Sequence, residues 1–129
     1  MGITNTGMAQ TAKLLGTDVT DSATFDCIAI GTSATAFVAT QTILVAYQQE
    51  AVGATVVGTL TTTSVTNDTL TLTKDSFSFG GSYAINEVGA FITSHTGIML
   101  CRTVLGATIN VTATDTLKVV INVQVKQGA

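Results

Sequence analysis

The residues of this 129-residue chain that could carry chemistry are few and scattered. His95 is the only histidine, and it sits between Ser94 and Thr96 with no DxH or HxH around it. Catalysis through such a residue needs a nucleophile and an orienting acid supplied by the fold. The local pattern predicts a plain solvent-exposed loop residue instead. Among the eight acids, Asp18 with Asp21 and Asp68 with Asp75 are the nearest to clusters. A calcium loop wants several oxygen donors at tight alternating spacing plus a bidentate acid. Neither pair has that, so turn capping is the expectation. A glycosidase pair meets only in three dimensions, so spacing does not decide it. With no tryptophan and two tyrosines, however, the chain has no obvious sugar-stacking platform.

Cys27 and Cys101 lie in strand-like segments, outside any CxxC and away from histidine, and are expected to be buried free thiols rather than zinc or redox residues. Gly31-Thr32-Ser33-Ala34-Thr35-Ala36 lacks the GK[ST] ending of a phosphate loop. Asn67-Asp68-Thr69 and Asn110-Val111-Thr112 are formal glycosylation sequons, read as coincidences of a Thr-rich sequence. Glu87 and Arg102 stand apart. Each lies inside an otherwise apolar strand, where a lone charge is costly unless paired. They are expected to form a structural ion pair if their strands are neighbours. The rival reading is a catalytic acid beside an electrophilic arginine. No catalytic residue, metal ligand or cofactor site is assigned from the sequence, and the chain is read as a non-enzyme.

The elements that would position these residues are strands. Twenty-six residues are threonine, none is proline, and only 10% are charged. Threonine is β-branched and suits a pleated, half-exposed surface. Ordinary domains carry about 25% charged residues, so this surface is built largely from neutral hydroxyls. Residues 1–9 read as an extended arm, with Ile3 and Met8 as its candidate protein-interface residues. Residues 12–15 could form one short helix stopped by Gly16. A compact apolar strand follows at 24–30, halted by Gly31. Residues 36–48 are ambiguous, with a helical spacing of Ile43, Leu44 and Tyr47 set against threonine and valine enrichment.

The second half alternates more clearly. Residues 54–66 read as a strand ended by the turn residues Asn67 and Asp68. Residues 69–79 continue as a strand with Leu70 and Leu72 inward, and Gly80-Gly81 suggests a tight positive-φ hairpin into a return strand at 82–88. After Gly89 come short strands at 90–92 and 98–104. The closing strand places Leu117, Val119, Ile121, Val123 and Val125 on one face. This predicts one all-β domain over 1–129, an antiparallel, jelly-roll-like β-sandwich with a short N-terminal arm.

Length suffices for a real core, and Leu, Ile, Val and Phe total 37 residues, above the range of disordered chains. A net charge of −3 and five scattered basic residues leave no footprint for nucleic acid. No apolar run approaches the ~18 residues of a membrane span. The first sixteen residues lack the basic and apolar regions of a signal peptide, so folding in a reducing cytosol is expected. Proline and charge commonly blunt sheet edges. Proline is absent and charge is scarce, and partner subunits covering the edges would resolve that.

Residues 83–91, YAINEVGAF, followed by 97–102, GIMLCR, resemble a pattern of tailed-bacteriophage virion proteins. In that family an "EvGlF" segment precedes a "gtLlaR" strand and a closing "gD.l.v" strand, to which residues 114–119, TDTLKV, are similar. Residues 28–33, IAIGTS, with 40–43, TQTI, are similar to the family's "iaiGtG…TdTaL" segment, departing at Ile43 and Val45. Tail-collar fibre N-terminal domains and small head or tail accessory proteins carry such patterns. The resemblance covers most of residues 25–125. It implies a non-enzymatic structural protein present in many copies on a virion assembled in the host cytoplasm. A capsid decoration (cement) protein is the leading expectation, a homo-oligomer, trimeric by preference, bound to the major capsid protein. The alternatives are a tail, neck or baseplate subunit and, from another class, a carbohydrate-binding adhesin module.

Overall fold

The computed structural model describes residues 1–16, 24–49 and 58–127. In chain order the elements are β1 (Gly2–Ile3), α1 (Asn5–Leu15), β2 (Phe25–Gly31), β3 (Tyr47–Gln48), β4 (Gly58–Thr61), β5 (Thr69–Ser78), β6 (Tyr83–Ile92), β7 (Met99–Val111) and β8 (Thr116–Gln124). They form two antiparallel sheets, one in the order β1-β7-β6-β2-β3 and one in the order β4-β5-β8. The protein is an all-β sandwich with one short helix. The β6–β7 pair is nested between β5 and β8, which pair with each other in the opposite sheet. That nesting is jelly-roll-like, with sheets of five and three strands.

The main core lies between the sheets. Ile28, Ile30, Ile85, Val88 and Ala90 from the large sheet meet Leu72, Phe77, Val119 and Ile121 from the small one. The period-2 pattern does this work, since alternate residues of a strand point to one face. On β8, Val119 and Ile121 are buried while Lys118, Val120 and Asn122 are exposed. Val125 lies beyond the strand and is exposed. The large sheet also has a covered outer face. Cys27, Ala29, Phe91 and Met99 point outward there and pack under Leu44 from the irregular 32–46 segment. The ambiguous stretch 36–48 is therefore neither a helix nor a long strand; it forms a second layer and pairs only at β3.

Several boundaries differ from the sequence-based expectation. The N-terminus is not an extended arm. Thr4 caps a helix that starts at Asn5, its side chain accepting from the Gly7 N–H at 2.9 Å. Ile3 sits in β1 against Cys101 of β7 and packs on the core, so only Met8 of the two interface candidates stays largely exposed. The helix stops at Gly16, whose N–H reaches the Ala12 and Lys13 carbonyls.

Gly80-Gly81 makes no hairpin, and neither glycine has positive φ. Phe77 and Phe79 are both buried, and the chain there crosses from the small sheet to the large one. Gly89 does not break its strand, because β6 is paired on both sides and runs through it. The strand expected over 54–66 ends at Thr61, where Asp68 gathers the N–H groups of Thr63, Ser64 and Val65 into a turn. Residues 54–57 lie outside the described residues.

Candidate functional site

Glu87 and Arg102 meet under the outer layer. Neither side chain is exposed, and Arg102 Nε donates to Glu87 Oε2 at 2.6 Å. The strands that hold them, β6 and β7, are neighbours, so their outward faces bring the two charges together. Each nitrogen and each oxygen of the two charged groups has at least one partner. Glu87 accepts from the Ala46 N–H at 2.7 Å and the Val45 N–H at 3.2 Å. Arg102 donates to the Thr35 carbonyl at 2.8 Å and to Gln41 Oε1 at 3.3 Å. An irregular segment must find partners for its backbone polar groups outside any ladder. This pair supplies them and clamps the 32–46 layer to the sheet. With every charged atom engaged by protein, the geometry does structural work and presents no group to a substrate.

A second anchor holds the helix. Leu100 is the extra residue of a bulge in β7, where the register shifts between Ala90↔Cys101 and Phe91↔Met99. The bulge turns carbonyls out of the ladder. The Thr4 N–H donates to the Leu100 carbonyl at 3.0 Å, and the Thr4 hydroxyl donates to the Met99 carbonyl. Thr4 is fully buried as a result.

The remaining candidates separate. Asp68 and Asp75 lie toward opposite ends of β5, about 20 Å apart along a strand. Asp68 closes its turn, and the Gln124 amide, followed by the Thr63 N–H, holds its carboxyl well below the usual range. Asp75 pairs with Lys118 at 3.2 Å in an exposed contact. Asp18 and Asp21 lie outside the described residues. His95 is stacked flat on Tyr47, with ring centroids 3.7 Å apart, rather than standing free in its loop. Cys27 and Cys101 are buried and unjoined, and burial pushes the Cys101 thiol up to about 11. Asp26, which no sequence motif marks, accepts from the Thr93 N–H at 2.7 Å and steadies a residue at φ 66°. Among the described residues, no three His, Cys, Asp or Glu side chains stand together as metal ligands, and no helix is long and apolar enough to cross a membrane.

What the surface does present is an open flank. An apolar groove of about 350 Å³ runs between β7 and β8, lined by Met1, Thr103, Leu105, Ile109, Leu117 and Val119 among others. Among the described residues, β1 covers β7 only at Cys101 and Arg102, and β8 is paired on one side only. Two strand edges therefore border one apolar opening. Such an arrangement can bind an extended segment or another sheet edge through main-chain hydrogen bonds. No family model, no curated protein and no solved structure matches this chain.

Proposed function

We propose that this chain is a non-enzymatic structural subunit of a tailed-phage particle, specifically a decoration protein that cements the capsid. The observation that carries the reading is the open flank, a groove whose strand edges have no partner strand among the described residues, on a body that exposes Val120, Ile109 and Leu60 and has few charges. Isolated soluble domains protect such edges. A subunit that lives in an assembly covers them with its neighbours. The resemblance of residues 83–102 to virion proteins supports a phage particle as that assembly. A sugar-binding adhesin would hold an aromatic face open, whereas Tyr47 turns its ring onto His95.

The test is quantitative mass spectrometry and imaging of purified particles from the phage that encodes the chain. Hundreds of copies on the head support the cement role. Tens of copies in multiples of three or six move the subunit to the tail, neck or baseplate. Absence from the particle overturns the reading.

A further inference from the structure

β8 is the longer outer strand of the small sheet, nine residues paired to β5 on one side and, among the described residues, to no strand on the other. Natural sheets protect edges of this length with proline, an edge bulge or inward charge. β8 has none of these. The irregularity in its pairing sets residues 75 and 76 of β5 against Lys118 alone, so the extra residue is on the β5 side. The one edge charge of β8 is a single exposed lysine, Lys118, which points outward 3.2 Å from the likewise exposed Asp75, a weak surface contact. Both inward-facing Leu117, Val119 and Ile121 and outward-facing Val120 and Asn122 line the groove, so the free backbone edge itself forms the wall.

We propose that β8 pairs antiparallel with β8 of a second copy of this chain, about a two-fold axis at Val120, joining two small sheets into one continuous sheet. The sequence of the strand selects that register. Centred on Val120, all nine residues find partners, Val120 meets its own copy, and Lys118 lies opposite the neutral amide of Asn122. Leu117 faces Val123, and Val119 faces Ile121, so the inward faces match apolar to apolar. Centring on Lys118 would set two ammonium groups against each other, and centring on Asn122 would set Lys118 against Lys126; like charges directly opposite destabilise a ladder. Centring on Val119 or Ile121 leaves two residues at one end of the strand without partners. Antiparallel pairing keeps both inward faces on one side, and the groove opens on this same flank, so the second copy covers it.

This deepens the assembly reading by naming one of its interfaces. The test uses purified full-length chain without particles, so either idea can fail while the other stands. Sedimentation velocity should show a concentration-dependent dimer. Asn122→Lys puts like charges opposite each other at two symmetric positions and should weaken dimerisation about tenfold. Asn122→Asp should tighten it at low salt and lose that gain in roughly 1 M salt. The register is read by Val120→Cys, because residues directly opposite across an antiparallel pair have the Cα separation a disulfide needs. Mild oxidation should give a covalent dimer, while Leu60→Cys on the opposite edge, 64% exposed, should not. A monomeric or trimeric wild type, an unchanged Asn122→Lys dimer, or cross-linking through Leu60→Cys rather than Val120→Cys would overturn the proposal.

Discussion

Gly31 stands directly opposite Glu87 across the β2–β6 ladder, and the absence of a side chain there is what lets the carboxylate reach the Ala46 N–H. A Cβ on Gly31 would lie 2.4 Å from Glu87 Oε1 and 2.5 Å from the Ala46 carbonyl oxygen. One of those neighbours is backbone and cannot step aside cheaply. Gly31→Ala is expected to cost about 2–4 kcal/mol, combining overpacking with displacement of a buried ion-pair partner. Urea denaturation measures it, and a loss under about 0.5 kcal/mol would show that the carboxylate has another place to go.

The ion pair itself calls for a double-mutant cycle. Arg102→Met leaves a buried carboxylate, and Glu87→Leu leaves a buried guanidinium, so each alone should cost about 3–5 kcal/mol. The double variant should recover part of this loss, because neither charge is then stranded. Recovery stays incomplete, since Glu87 also satisfies the N–H groups of Val45 and Ala46, which the double variant leaves without that acceptor. A strictly additive cycle would remove the coupling.

Thr4 joins the helix cap to the bulge of β7. Thr4→Ala removes the cap acceptor and the donor to the Met99 carbonyl together, and a loss of about 1–2 kcal/mol is expected. Thr4→Ser keeps the hydroxyl and should lose much less. Equal midpoints in thermal melts of the two variants would show that the methyl group, not the hydrogen bonds, holds the helix.

Asp68 gives a pH dependence whose sign is fixed. Hydrogen bonds from Gln124 and from the 63–65 turn keep its folded carboxyl ionised below its ordinary value of 3.8. The unfolded chain therefore binds that proton first as the solution is acidified. The stability this group contributes is complete above the ordinary value and is lost as pH falls below it. In denaturant titrations, the difference between wild type and Asp68→Asn should stay constant above about pH 5 and shrink below about pH 4. A difference independent of pH would mean that the turn does not need the charge.

Alternation made β5 and β8 legible, because a strand buried on one face writes its register into the sequence. The pairing of Glu87 with Arg102 was legible for a different reason: two charges in apolar strands need each other. Their other partners were not. Thr35, Gln41, Val45 and Ala46 reach the pair through backbone atoms or a flexible amide, and neither leaves a pattern. Gly80-Gly81 misled because a crossing between sheets and a hairpin use the same loose residues. The end of helix α1 and its Gly16 stop were legible, but its start was hidden by Asn5, Thr6, Gly7 and Thr11, poor helix formers that packing overrides. Gln124 lies on the face that reads as solvated, yet its amide closes the Asp68 turn 56 residues away.

The Thr4 anchor also sets a timetable. Its acceptor, the Met99 carbonyl, lies 95 residues further along the chain. A chain made from its first residue onward has no dock for β1 or α1 until β7 has left the ribosome, and β5 must wait still longer for β8. β1 is thus made before β7 but seated only after it. Until then the inner face of the large sheet and the free edges stay open to whatever else is in the cell, so production of this protein should be sensitive to synthesis rate and to chaperones that hold nascent β-structure.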